Sequence, residues 1–271
     1  MKLAITHDTT YRYDAPVRSS TQYFRLTPRE SPRHRVLHWQ VDTQRPATQT
    51  HDGYGNVLHV LTLDKTVSEI RIRAHGVVET LPVGEAASSD APIGPENVLS
   101  PLVFLRTTPI TRVDEALAAF AGRHRKRAGT LAGLRELAAS ISDKIPFKPD
   151  EGSATLSAAE AFSGGGVSVR DQAHVFIACC RNLGVPARFV SGYLHSAKAA
   201  DEGFIAGHAW AEAWVSGQWR GFDLTNHRAD GSEHLALAIG ADYLDACPIR
   251  GVRTGGGFET MQAKLEIRLS Q

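Results

Sequence analysis

Residues 171–193 read Asp171-Gln-Ala-His-Val-Phe-Ile-Ala-Cys-Cys-Arg-Asn-Leu-Gly-Val-Pro-Ala-Arg-Phe-Val-Ser-Gly-Tyr193. The first part has helical period: Ala173, Ile177 and Cys180 form one apolar row, and Phe176 and Leu183 widen it. Gly184 tolerates the positive φ of a helix C-terminus and Pro186 cannot continue a helix, so a helix over about Arg170–Leu183 should stop here. A strand over Arg188–Leu194 follows. Cys179 and Cys180 fall in mid-helix among apolar residues, the pattern of buried thiols.

Upstream, Thr111 reads as the N-cap of a helix with Asp114 at its third position and Val113, Leu117 and Phe120 as its buried stripe. A second helix covers about Leu131–Ile145, with Leu134, Ala138 and Ile141 on one side, and stops before Pro146. Ser157 with Glu160 forms a capping box for a short helix that Gly164-Gly165-Gly166 interrupts. Residues 82–110, with five prolines and two glycines, have the composition of a linker or crossover. The first eighty residues instead alternate in short runs: Leu3/Ile5, Tyr11/Tyr13, Phe24/Leu26, Val36–Val41, Val57–Leu63 and Ile70–Ala74. Asp14-Ala-Pro16, Thr27-Pro28 and Asp52-Gly-Tyr-Gly-Asn56 separate them as turn formers. The expected organisation is a β-rich, sandwich-like region over 1–85, a linker over 86–110 and an α+β core over 111–271. Met261–Leu269 would be a last strand closing a sheet.

Downstream, residues 208–223 read His208-Ala-Trp-Ala-Glu-Ala-Trp-Val-Ser-Gly-Gln-Trp-Arg-Gly-Phe-Asp223. In a strand His208, Trp210, Glu212 and Trp214 share a face. If Ser216-Gly217 is a two-residue turn, Val215 faces Gln218 and Trp210 faces Asp223, which puts Asp223 diagonal to His208 on the same face; a three-residue loop would turn it away. A carboxylate so placed fixes one imidazole nitrogen and leaves the other for a reacting group. A plain polar pair has the same pattern, and Glu212 competes as the partner.

Asp171–Tyr193, His208-Ala-Trp-Ala-Glu and Gly221-Phe-Asp-Leu-Thr225, in this order, resemble the bacterial transglutaminase-like superfamily, and the N-terminal strands resemble the β-domain that precedes that core. The resemblance covers almost the whole chain. It implies an α+β, papain-like cysteine-hydrolase core, with His208 as base and Asp223 as its orienter. Leu224 stands where the family usually has Pro. It also implies a nucleophilic Cys at the start of the long helix, within a pattern close to Gly-Val-Cys-Arg/Gln-Asp-x-Ala-His. This chain reads Gly166-Val-Ser-Val-Arg-Asp-Gln-Ala-His174. Counting back from Asp171 puts Val169 in the thiol's place; counting forward from Gly166 puts Ser168 there.

Neither position supplies a thiol. Val has no nucleophilic atom. A helix N-terminus and an imidazolium can hold a thiolate, but Ser168 would need its proton removed during attack. Backbone N–H groups at the helix end could still bind an oxyanion. Cys179 and Cys180, eight and nine residues beyond Asp171, would sit roughly 12–14 Å along the helix and do not substitute. His174 is expected to be structural or to line a pocket, Asp171 to cap the first turn or bond across to the hairpin, and Arg188 and Tyr193 to line a groove, lie behind it or sit at the surface.

Composition narrows the classes. Thirty Lys plus Arg against twenty-nine Asp plus Glu give a net charge of +1, unsuited to a broad grip on nucleic acid or anionic lipid. The basic run Arg123–Arg127 reads as solvated surface. No stretch is long and apolar enough for a membrane span, and the start lacks a signal-peptide core. Three cysteines, two of them adjacent, suit a reducing compartment, hence a cytoplasmic expectation. There is no His-Glu-x-x-His, paired Cys-x-x-Cys or acidic cluster, so no metal and no cofactor is expected; Gly164–Gly166 is no phosphate loop, and Gly255–Gly257 is a turn signal. Two functions follow. One is an inactive or impaired protein that binds a peptide or protein partner in the old groove. The other is an amide-directed peptidase, amidase or γ-glutamyl transferase using Ser168 with His208 and Asp223. A homo-oligomer built on the β-region fits either.

Overall fold

A computed structural model describes residues 1–31, 34–80, 99–148, 156–164, 168–195, 207–227 and 233–270. Most of the expected linker, and Gly165, Gly166 and Gly203, lie outside these. The elements in chain order begin with β1 (Lys2–Phe24), β2 (His34–Thr43), β3 (Thr48–His51), β4 (Val57–Leu63) and β5 (Val67–Thr80). Among the described residues, four α-helices come next, with short 3-10 turns at Pro101–Leu105 and Arg125–Arg127: α1 (Glu115–Gly122), α2 (Leu131–Lys144), α3 (Ala158–Gly164) and α4 (Val169–Asn182). The chain then runs through β6 (Ala187–Leu194), β7 (Gly207–Val215), β8 (Gln218–Phe222), β9 (His234–Gly240), the single turn α5 (Tyr243–Ala246), β10 (Ile249–Gly255) and β11 (Glu259–Ser270).

The strands make two antiparallel sheets. The first, of seven strands, has the order β2-β5-β1-β4-β3 with β10 and β11 also on β1; the second has the order β8-β7-β6-β9. β1 is the spine of the first: residues 2–13 lie between β5 and β11, and residues 17–24 largely between β4 and β10. Asp14–Pro16, expected as a turn, is instead an irregularity within this strand, across which the pairing with β5 shifts register; the pairing with β10 shifts just after it, between Val17 and Ser19. Pro16 has no N–H to give a ladder, and the segment is held by the β10–β11 turn. The Asp14 carboxylate accepts from Phe258 N at 2.8 Å, and Gly256 N donates to Pro16 O at 3.1 Å. Gly255, Gly256 and Gly257 all have positive φ there, which makes them the turn of the last hairpin. That hairpin is a correction to the sequence-based grouping: β10 and β11 extend the first sheet, not the core sheet. Alternation shows that a segment is a strand but carries no information on which of two sheets it joins.

The core is built as its sequence pattern suggests, with one changed cap. α1 starts at Asp114, whose carboxylate accepts from Leu117 N at 2.8 Å, while Thr111 turns back to bond Thr108. A carboxylate is the stronger cap because it also meets the helix dipole. Thr130 caps α2, which ends at Lys144, and Glu160 closes on Ser157 N at 2.8 Å in the expected capping box. Gly184, with φ of +80°, terminates the long helix. α4 buries Ala173, Phe176, Ile177 and Cys180 against Ala209, Ala211 and Ala213 of β7 and Phe189 of β6. Small alanines on that strand face let the helix lie close to the sheet. Strand β9, His234–Gly240, escaped the sequence reading.

The second sheet also packs on the first. Tyr193, Leu235 and Leu237 share an apolar cluster with Leu3, Ile5, Leu61 and Ile72.

Candidate functional site

The β7–β8 hairpin has the register that a two-residue turn dictates. Val215 faces Gln218 and Ala211 faces Phe222 across Ser216-Gly217, both with positive φ. Asp223 therefore falls on the face of His208, and His208 Nε2–H donates to Asp223 Oδ2 at 2.8 Å. His208 is 8% exposed and Asp223 1%. The Trp210 indole lies roughly parallel to the His208 ring, 6.1 Å between centroids. Room for it comes from Gly192, paired with His208 on β6: a Cβ there would come within 2.7 Å of the Trp210 ring and 2.2 Å of Leu235 O.

Two further residues complete the site. Asn226, in the turn after Asp223, donates from its backbone N to Oδ1 at 3.1 Å and from Nδ2 to Oδ2 at 2.7 Å. His234, the first residue of β9, donates from Nε2 to the same Oδ2 at 2.8 Å and is 2% exposed. Burial alone would raise the Asp223 carboxyl, but the hydrogen bonds from His208, His234 and Asn226 together hold it far below the usual carboxylate range. An ionised carboxylate only accepts, so both rings present Nε2–H. The Nδ1 of a neutral His208 is then its lone-pair nitrogen. Neither was read from the sequence: the Asp-x-x-Asn spacing of Asp223 and Asn226 was a signal for the first, while His234 lies on a strand the sequence pattern does not reveal.

At the helix end, Ser168 is the N-cap of α4 and Val169 its first residue. The Ser168 hydroxyl donates to Asp171 Oδ2 at 2.7 Å, and Asp171 Oδ2 also accepts from Ser168 N at 3.0 Å. The expected capping role of Asp171 is thus met, and the partner of the Ser168 hydroxyl is Asp171 rather than His208. Val169, half-buried, packs against the core cluster beneath the helix. The first turns of α4 and the Asp223 turn are joined by Thr225 Oγ1, which donates to Gln172 Oε1 at 2.9 Å.

The other candidates have internal partners. Glu212, the alternative orienter, accepts from Arg188 Nε at 2.6 Å, and that guanidinium lies 4.0 Å over Trp219. Tyr193 OH meets His7 Nδ1 at 2.8 Å in the contact with the first sheet. His174 accepts from Tyr243 N through Nε2 at 3.1 Å and stacks on Phe189; burial pushes it down to about 3, a neutral structural imidazole. Cys179 and Cys180 are buried, with burial pushing Cys179 up to about 12 and Cys180 well above the usual thiol range. Cys247 donates to Ile249 O at 3.0 Å. No cysteine joins the His208–Asp223 pair. Among the described residues His208, Asp223 and His234 do place one ligand-type atom each within 4.8 Å of one another. No described helix is long and apolar enough to cross a membrane.

Comparison with known proteins places the chain by family and fold. Residues 3–79 match the bacterial transglutaminase-like N-terminal region, and residues 118–224 match the transglutaminase-like superfamily. An uncharacterized protein of Mycobacterium leprae is 31% identical over 98% of this chain and 98% of its own length. One from Mycobacterium tuberculosis is 30% identical over 92% of this chain and 86% of its own. The crystal structure of a Cytophaga hutchinsonii protein, described as a candidate cysteine protease, superposes with a TM-score of 0.69 at 19% identity, over 99% of this chain and 90% of that one. The chain belongs to the transglutaminase-like superfamily, with the bacterial N-terminal β-region and without the cysteine triad.

Proposed function

We propose that this protein binds a peptide or protein segment in the groove of the transglutaminase-like fold and does not form a thioester with it. The observation that carries the reading is the start of α4. Val169 offers no nucleophilic atom, and the Ser168 hydroxyl is engaged in a reciprocal cap with Asp171. What remains is a helix N-terminus, whose first turns are tied to the Asp223 turn through Thr225 and Gln172, with N–H groups able to hold an amide carbonyl without cleaving it. The three free cysteines suit the cytoplasmic setting read from the sequence.

The second reading, an amide-directed peptidase, amidase or γ-glutamyl transferase, is favoured by the intact His208–Asp223 bond. It requires Ser168 to leave its cap, losing about 1 kcal/mol of helix stabilisation. Both readings are tested by incubating the chain with a library of short acetylated and amidated peptides, followed by mass spectrometry and ammonia assay. The expected result is enrichment of a peptide subset recovered with unchanged mass. Turnover abolished in Ser168→Ala would establish the second reading instead; absence of any enrichment would end the first.

A further inference from the structure

We propose that His208, Asp223 and His234 form a binding site for a divalent first-row transition-metal ion. A base and its orienter need one imidazole and one carboxylate, and Asn226 already fixes the carboxylate with two donors. The second imidazole is left over by that reading, although it is almost wholly buried. It adds a third donor to one oxygen: Asp223 Oδ2 receives His208 Nε2 at 2.8 Å, His234 Nε2 at 2.8 Å and Asn226 Nδ2 at 2.7 Å. Two imidazole nitrogens converging on one ionised oxygen is the arrangement that a shared cation can replace.

The geometry is close to what an ion needs. The three ligand atoms lie within 4.8 Å of one another. A tetrahedral ion with bonds of 2.0–2.2 Å spaces its ligands about 3.3 Å apart. The two N···O separations therefore need to open by about 0.5 Å, and the N···N separation, at most 4.8 Å, must close toward the same value, within the reach of side-chain torsions. Each ring must move its proton from Nε2 to Nδ1, a change of tautomer that leaves a neutral imidazole neutral. Asn226 Nδ2 would then orient the ligating carboxylate from behind, as outer-shell partners do. The donor set, two imidazoles and one carboxylate, suits Zn2+, Co2+ or Fe2+ and not the all-oxygen preference of Ca2+ or Mg2+. Three protein ligands leave a fourth position for water or a ligand oxygen, and such chemistry needs no cysteine. Elsewhere among the described residues, His75 contacts Asp42 at 2.9 Å as a half-exposed pair that no third described ligand joins.

The test uses the full chain freed of metal by chelation and titrated with Co2+, followed by visible d–d absorption and by Zn2+ competition. The expected result is one Co2+ per chain, displaced by Zn2+. Affinity should fall about a hundredfold or more in His234→Gln and Asp223→Ala, and about tenfold in Asn226→Ala, with near-ultraviolet circular dichroism confirming the fold. Should a ligand variant not fold, Zn2+-dependent shifts of the histidine ring resonances in the wild-type chain decide the matter: His208 and His234 move and His75 does not. A folded wild-type chain that takes up no Co2+, uptake unaffected in folded His234→Gln, or shifts confined to His75 would each overturn the proposal.

Discussion

Three donors converge on one oxygen of Asp223, and this oxygen decides the protonation of both rings beside it. Because an ionised carboxylate can only accept, His208 and His234 must each carry Nε2–H in the metal-free chain. Long-range 15N–1H correlation spectra of the metal-free protein should show both as Nε2–H tautomers, and Asp223→Asn should release at least one. Finding His208 as the Nδ1–H tautomer would contradict the site's geometry. His208 and Asp223 could be paired from sequence because strand parity and turn length are arithmetic. The engagement of Ser168 with Asp171 was half legible: the carboxylate was expected to cap the first turn, but not to occupy the hydroxyl. Burial settles what spacing leaves open, as with Glu212, which shares the His208 face yet neutralises Arg188.

At the scale of elements, α4 is held by more than its apolar row. Arg181, in its last turn, is buried and gives its guanidinium to Phe104 O, Ala187 O, Ala241 O and Thr111 Oγ1. Burial lowers it to about 10, so it stays charged at neutral pH while tying the helix to β6, to the approach to β10 and to the segment before α1. Arg181→Met should cost on the order of 3 kcal/mol in urea unfolding, because it strands several buried carbonyls; a loss under about 1 kcal/mol would show that water takes over these bonds. Gly192 supplies a second prediction at this scale. Gly192→Ala would push the added methyl into the Trp210 ring and Leu235 O, so it should disturb the His208 resonance and lower stability by about 1–3 kcal/mol. The helices were legible because caps and breakers are local. Strand β9 was not: Leu235 and Leu237 pack with the first sheet, Ala238 packs with the helices, and Ile239 and Ala236 pack with Phe104 and Trp210. A strand buried on both sides loses the polar alternation that marks a half-exposed one.

The whole molecule depends on the seam between its two sheets. Asn56, fully buried, donates to Ile239 O and accepts from Ile239 N, both at 2.8 Å, and so closes the edge of the core sheet with the β3–β4 turn. Arg29 N donates to Ala236 O, and Tyr54 OH reaches Asp245 at 2.5 Å. These pairings join residues 183 or more positions apart, apart from the local turns, and no short pattern in the sequence announces them. The seam also carries His7, against Tyr193. Burial pushes His7 down to about 4 and His174 to about 3. Both values lie below that of an unfolded histidine, so the unfolded chain binds protons first as the pH falls. The stability contributed by their neutral burial is complete above about pH 6.5 and is lost as the pH drops toward 4 and below, by up to about 1.4 kcal/mol per pH unit for each. Urea midpoints should therefore fall between pH 7 and pH 5, and less steeply in His7→Gln. A flat profile would contradict the buried neutral state.

The central claim is that the helix end was built for a thiol that this chain does not carry. Its most direct test replaces Val169 with Cys and, in a separate chain, Ser168 with Cys, and measures labelling by a thiol-directed affinity reagent at neutral pH with chelator present. Rapid labelling of Val169→Cys, returned to the rate of a free thiol by His208→Ala, is the expected result. Labelling of neither variant faster than a free thiol, or rapid labelling of Ser168→Cys alone, would contradict it.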